Sequence, residues 1–524
     1  PRSRGQPEGV FGPSRTVDHG AFRWTDANWT PPRIQNAILY ELHVGTFTPR
    51  GTFAGVEERL PYLKDLGATH ICLMPICEFS GLRGWGYDGT FLYAPHHAYG
   101  APDDLKRLVD ACHEIGLAVI LDVVYNHLGP EGNVLERFAP YYSTYYTTPW
   151  GKGLNFDGPG SDIVRRFVCD SARTWVRDYH IDGLRVDSVK SMHDRSAVHI
   201  LQQLTQELHA LGLKQGKPVL MIAESDLNDP WITRTPENHG CGFDAQWNDD
   251  FHHALHALLT KERHGYYADF GTLSDLSKAI ANVFVLDGKY SKYRQRHHGR
   301  PAEAATGGQY IVYAENHDDA GNRADGCRLP ALLNMDALKI AAALLLTAPF
   351  VPLLFQGQEW GTTSKFHFFC DFRDSELGAK VWDGRIAELG ALGWAPEDVP
   401  DPQNTGTFDS SILDWGECGA PANVELLDWH RSLIALRSEL PDLQAVSLHE
   451  TTVEYEEGAQ WIRMDRGKVS IAVNLSNERQ CLALKNAGNW VLLLGSKADM
   501  DVSEAKIDLP EKSVAILQRC DSAA

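Results

Sequence analysis

At 524 residues the chain is too long for one ordinary domain and long enough for one large barrel with an appendage. Its 43% hydrophobic and 23% charged residues are the balance of a soluble globular protein, and a net charge of −20 argues against nucleic acid or an anionic membrane as partner. No run of about 18 apolar residues occurs, since the stretch around 340–355 is broken by Pro349 and Pro352, so no transmembrane helix is expected.

Residues 1–33 are rich in Gly, Pro and Arg without periodicity, and read as a linker or strap over a domain. From Ile38, short apolar strands alternate with helical stretches. The expected strands are 38–47, 70–76, 118–127, 183–189, 219–225, 243–248, 310–318 and 350–359. Amphipathic helices fit between them, such as 56–66 and 102–115. Strand–helix alternation implies a parallel sheet with crossover helices, and eight units imply a closed (β/α)8 barrel, here spanning 34–445. Two connections are long. The first, 128–160 after the third strand, is aromatic and Gly/Pro-rich, and a loop of that length is usually functional. The second, 249–309, includes the helix-like DDFHHALHALLTKER. Residues 446–524 read as short strands with polar turns, a C-terminal antiparallel β-sandwich. The ten cysteines are scattered without a CxxC pair and no signal peptide is visible, so reduced, mostly buried thiols in a cytoplasmic protein are expected.

Polar residues gather at the C-terminal ends of the strands. The third ends in Asp122, Asn126 and His127; the fourth carries Arg185 and Asp187; the fifth Glu224; the seventh Asn316, His317 and Asp318. In GLRVDSV, alternation puts Arg185 and Asp187 on one face. Alone, that pair reads equally as a salt bridge at a sheet end. In a parallel barrel, however, all these strand ends converge on one mouth, where catalytic groups sit. Three converging carboxylates, Asp187, Glu224 and Asp318, point to glycoside hydrolysis. One acid attacks or stabilises the anomeric carbon, and a second, with a raised pKa, protonates the leaving oxygen. Arg185 would keep Asp187 ionised. His127 and His317 suit hydrogen bonds to sugar hydroxyls, and Tyr87 offers an apolar face to a pyranose.

DVVYNH (122–127), GLRVDSVK (183–190), IAES (222–225) and ENHD (315–318) match, in order and spacing, the four signature regions of glycoside hydrolase family thirteen, the α-amylase family, which the chain resembles along essentially its whole length. The resemblance implies a retaining mechanism with Asp187 as nucleophile, Glu224 as general acid/base and Asp318 as third acid. It implies substrate contacts from Tyr87, Asp122, His127, Arg185, Lys190, His317 and Glu359. QPEGVFGPS (6–14), TPWGKGLNFDGPGS (148–161), IAESDLNDP (222–230) and QWNDDFHHALHALLT (246–260) are similar to the maltooligosyltrehalose trehalohydrolase subgroup. Its reaction hydrolyses the α-1,4 bond next to a terminal trehalose, its substrate is maltooligosyltrehalose, and it implies functional pairing with a maltooligosyltrehalose synthase. That subgroup has an N-terminal β-sandwich before the barrel, and a chain starting at Pro1 fits removal of such a module. Three departures stand out: Lys190 in VDSVKSM, Asp319 in ENHDD and Gln358 in FQGQEW, all expected on the leaving-group side. They motivate the alternative of an amylase-like hydrolase or glucan transferase of different leaving-group specificity. A non-catalytic barrel is the third reading, opposed by the presence of all three acids.

His252 and His256, at i, i+4, offer a possible metal pair but lack a third ligand and read as surface and packing histidines. Many α-amylases bind calcium near the equivalent of Asn126, and no carboxylate cage is visible here, so neither metal nor cofactor is expected. YYSTYY (141–146) reads equally as a sugar-binding surface or the insertion's own core.

Overall fold

Eight short strands close into a parallel barrel in a computed structural model that describes residues 2–303, 305–485, 488–503 and 505–520. In chain order they are Leu39–Leu42, His70–Leu73, Ala118–Val123, Gly183–Val186, Leu220–Ala223, Ala245–Trp247, Tyr310–Tyr313 and Val351–Phe355. Each pairs in parallel with the next, and the eighth pairs with the first. Alternation sorts their side chains. Leu39, Ile120, Ile222, Ala245, Ile311 and Leu353 fill the barrel interior, while Tyr40, Leu121, Leu184 and Leu354 pack outward in the main core with the helices. Above the inner apolar layer, the same inward face carries Glu41, Asp122 and Arg185, with Asp122 registered opposite Arg185.

The strands are shorter than the apolar runs. The first ends at Leu42, and Val44–Phe47 is a helical turn whose Thr46 and Phe47 amides return to the His43 carbonyl. The helix expected at 56–66 is two pieces, Phe53–Glu57 and Leu60–Leu66, with Pro61 starting the second, since a proline has no amide to continue the first. A hairpin absent from the expectation, Cys77–Glu78 against Phe91–Pro95, precedes helix Pro102–Glu114; two residues are too few to show alternation.

The 128–160 connection folds as a turn and a hairpin, Tyr142–Thr148 with Gly151–Leu154. Its tyrosines divide, Tyr141 packing in the core while Tyr145 is 81% exposed. In the 249–309 connection, Asp249–Thr260 is a helix buried nearly all round. The surface expectation for its histidines is corrected: His252, His253 and His256 are all buried, because the turn Gly265–Asp269 covers them with Tyr266 and Tyr267.

Beyond Ala445 lie a five-stranded antiparallel sheet, ordered Thr451–Glu456, Trp461–Arg466, Val469–Asn474, Ser513–Cys520, Asn489–Gly495, and a three-stranded one from Gln480–Ala483, Lys506–Leu509 and Asp501–Val502. A separate apolar cluster around Ala472, Leu482, Trp490 and Leu517 draws on both sheets. Residues 2–33 strap the outside of the barrel. Asp26 meets His113 at 2.9 Å, whose other nitrogen is 2.9 Å from Asp182 at the foot of the fourth strand, and the Trp29 indole donates to Asp182 at 2.8 Å. No helix among the described residues is long and apolar enough to cross a membrane.

Two buried arginines meet at the end of one barrel helix, Arg437 from helix Pro421–Glu439 and Arg466 from the C-terminal sheet, which it ties to the barrel. Arg437 donates to the Leu346 and Ala348 carbonyls at 2.8 and 3.0 Å, and Arg466 to those of Thr347 and Ala348 at 2.6 and 3.1 Å. They satisfy the orphan carbonyls ending helix Met335–Thr347, where cations suit the helix dipole. Burial pushes Arg437 down to about 10 and Arg466 down to about 9. Arg466→Met is expected to lower the stability by about 1.5–3 kcal/mol, the worth of hydrogen bonds from a charged donor, read from the urea midpoint with the denaturant slope unchanged.

Candidate active site

The fourth strand and the turn after it assemble the centre. Arg185 points up the barrel axis, buried, with its guanidinium 4.3 Å from the Trp247 ring. Its Nη1 donates to Asp122 Oδ2 at 2.6 Å and to Asp187 Oδ1 at 3.0 Å, and its Nη2 lies 3.8 Å from Glu224 Oε2. The second oxygen of Asp187 accepts from the Asn126 amide at 2.9 Å. One cation thus serves three carboxylates, and an amide holds the one it shares with Asn126.

Just past Asp187 the chain turns sharply. Ser188 has φ +39°, left-handed backbone that non-glycine residues rarely adopt. That turn aims its N–H at Glu224 Oε2, 2.6 Å away, and starts the short helix Val189–Ser191. Burial pushes Glu224 up to about 8; the charges of Arg185 and Lys190 pull it down and that of Asp187 adds to the rise. Asp122 is pushed up to about 6 by burial, against the pull of Arg185.

The opposite wall is a relay. Glu41, inward on the first strand, is 2.7 Å from His317 Nδ1; His317 Nε2 is 2.7 Å from the Tyr87 hydroxyl, which donates to Asp122 at 2.7 Å. Burial lowers the His317 pKa, but Glu41 and Asp318 outweigh it and hold it up to about 9. Both ring nitrogens therefore carry protons at neutral pH. Asp318, on the short helix His317–Gly321 that follows the seventh strand, is 47% exposed by its side chain and looks into the mouth 3.6 Å from His317 Nε2. His127 is buried, bonded through Nδ1 to Asn126, and stacked at 5.3 Å by Trp150 from the hairpin of the long insertion.

Residues 21–152 match the family profile described as "Alpha amylase, catalytic domain". The malto-oligosyltrehalose trehalohydrolase of Rhizobium sp. (strain M-11) is 44% identical over 99% of this chain and 87% of its own length, and that of Arthrobacter ramosus 46% identical over 91% and 82%. The chain belongs to the malto-oligosyltrehalose trehalohydrolase family. Its structure is similar to that of a putative α-amylase from Salmonella typhimurium, with TM-score 0.90, 35% identity, and 99% and 88% of the two chains covered. It is a glycoside hydrolase of the α-amylase family.

In this trehalohydrolase-family chain the mouth brings together Asp187, Glu224, Asp318, Tyr87, Asp122, His127, Arg185 and His317, with Lys190 at its edge. Glu359 is corrected. It is fully buried outside the barrel, accepting from the hydroxyls of Tyr40 at 3.0 Å and Tyr62 at 2.9 Å, because Gly357, at φ +80°, turns the chain away from the mouth. Gln358 is buried, its side-chain oxygen accepting from the Phe355 amide at 3.2 Å. Lys190 is no free cation, since it donates to Asp226 at 2.7 Å, whose second oxygen takes Arg294 at 2.8 Å. Asn126 does not suit calcium: its amide nitrogen is committed to Asp187 and its oxygen to His127.

Sequence reasoning missed Glu41, Trp247, Asp226 and Arg294. Period-two alternation carried the signal for Glu41, the lone acid in LYEL. Arg294 lies on the small hairpin of Tyr290–Ser291 and Arg296–His297, remote in sequence from Asp226, and had none. Removing the positive charge that lowers Glu224 is expected to raise its titration. Lys190→Met should therefore move the alkaline limb of the kcat/KM profile upward from about pH 8, measured against wild type at constant ionic strength.

Proposed function

We propose that the chain hydrolyses the α-1,4-glucosidic bond next to the terminal trehalose of maltooligosyltrehalose, with retention, releasing trehalose. Asp187 is the nucleophile, Glu224 the general acid/base and Asp318 the third acid, holding hydroxyls of the sugar at the cleavage point. The observation that carries the chemistry is the division of labour around Arg185: Asp187 bonds the guanidinium and the Asn126 amide, while burial pushes Glu224 up to about 8, where it holds the proton an acid must give. Two carboxyls on one guanidinium support the close spacing of a retaining pair, about 5–5.5 Å, over the wider one of an inverting pair. The trehalose specificity is supported by relatives named malto-oligosyltrehalose trehalohydrolase that match nearly the whole chain. A groove of about 290 Å³ beside Lys190, lined by Tyr146, His193, Arg195 and Trp231, offers the leaving group aromatic and cationic walls.

In this reading residues 34–445 carry the reaction, 446–524 cap the barrel, and 1–33 strap it. The substrate has a non-reducing end on both sides, so an enzyme that isomerises the reducing end of a maltooligosaccharide to trehalose, a maltooligosyltrehalose synthase, must supply it. Ten free thiols support a reducing, cytoplasmic setting. The second reading, an amylase-like hydrolase or transferase, is favoured by Lys190, Asp319 and Gln358.

Incubation with maltooligosyltrehalose beside a linear maltooligosaccharide of equal length is expected to give free trehalose from the first and much slower cleavage of the second. Cleavage of the linear chain alone, or lengthened acceptors with little new sugar released, would favour the second reading. Glu224→Gln should keep substrate affinity and lose about 10²–10⁴-fold in kcat, and near-normal turnover would point to a different acid.

A further inference from the structure

A second cluster of ligating side chains lies outside the mouth. Glu78 ends the first strand of the small hairpin, and His96 and His97 directly follow its second strand, Phe91–Pro95. Glu78 Oε1 is 2.8 Å from His97 Nδ1, and Glu78 Oε2 is 3.4 Å from His96 Nδ1. All three ligand atoms lie within 4.8 Å of one another. The side chains of Glu78 and His96 are fully buried, and that of His97 is 20% exposed.

His96 supplies the independent sign. Its ring is clamped, stacked on Phe79 at 3.7 Å with Tyr99 against its edge at 4.9 Å, yet Nδ1 comes no nearer than 3.4 Å to Glu78 Oε2 and neither buried ring nitrogen makes a hydrogen bond of good geometry. A buried imidazole left so costs free energy that a bound ligand would recover. Glu78 presents one carboxylate oxygen to each imidazole, Oε1 to His97 and Oε2 to His96.

We propose that Glu78, His96 and His97 form a binding site for a divalent transition metal, zinc by its ligand chemistry. Two imidazoles and a carboxylate suit Zn²⁺, whereas calcium and magnesium ask for oxygen alone. Tetrahedral ligands about 2.0–2.1 Å from the ion stand roughly 3.3 Å apart. The Glu78–His96 distance already matches, and the Glu78–His97 hydrogen bond opens by about half an ångström as its proton leaves. The strap forms the roof: a Cβ on Gly9, at φ +78°, would stand 3.4 Å from His97 Cε1 and 4.0 Å from Glu78 Oε1. The ion joins the two ends of the 79–95 segment, which carries Trp85 and Tyr87 toward the mouth, so its role is to clamp that segment.

The test uses the tag-free full chain, stripped with chelator, dialysed against Zn²⁺ and analysed for metal per chain, with Co²⁺ as spectroscopic probe. About one zinc per chain, a tetrahedral cobalt spectrum and a higher thermal midpoint with zinc are expected. His97→Ala, at the exposed ligand, should fold by circular dichroism and bind at least about tenfold more weakly. His256→Gln controls for the other histidine cluster and should bind as wild type. No retained zinc in wild type, or equal retention and equal thermal shift in His97→Ala, would overturn the proposal.

Discussion

The site depends on one buried cation. Arg185 stands inside the barrel with Trp247 against its face, and its charge is shared among Asp122, Asp187 and Glu224. Carboxylates this close repel one another, and burial makes each charge expensive. A single guanidinium cannot neutralise all three. The arrangement therefore sorts them: Asp187 takes hydrogen bonds from both Arg185 and Asn126, and burial leaves Glu224 and Asp122 holding protons more readily. Arginine is required because its planar fork offers several donors at fixed angles and stays charged when buried.

Around that cation the barrel supplies rigidity. Each inward group stands on a strand whose neighbours are paired on both sides, and each is held by a partner from another strand. Glu41 on the first fixes His317 beyond the seventh, and Tyr87 joins His317 to Asp122 on the third. Side chains placed this way need little reorganisation when substrate arrives, which is where much of the electrostatic advantage of an enzyme lies. The edge of the mouth beside Lys190 differs. Asp226, Lys190 and Arg294 meet there from two loops and a hairpin, a setting that can vary while the centre stays fixed.

The barrel and its mouth were legible because two simple periods carry them. Strand–helix alternation marked all eight strands, period-two alternation aligned Arg185 with Asp187, and the convergence of strand ends brought Asp122 beside them. The rule that strand ends converge fails where the chain reverses before the residue in question. Glu359 lies four residues beyond Phe355, but Gly357 turns it outward to Tyr40 and Tyr62. Nothing local in EWG signals that reversal. The buried histidines of Asp249–Thr260 were misjudged for a related reason: the turn that covers them, Gly265–Asp269, follows in the chain but has no periodicity of its own. Pairings such as Arg294 with Asp226, or Glu78 with His96 and His97, depend on hairpins too short for a pattern.

The strained turn at Ser188 also fixes the direction in which a proton can travel. Its amide occupies Glu224 Oε2 at 2.6 Å, and an oxygen accepting an N–H there is a poor place for a hydroxyl proton. The acidic hydrogen is thereby confined to Oε1. In the proposed reaction that makes the carboxyl a one-sided donor, approached by the glycosidic oxygen along a single line. A backbone conformation costly for serine so becomes stereochemical control over a proton.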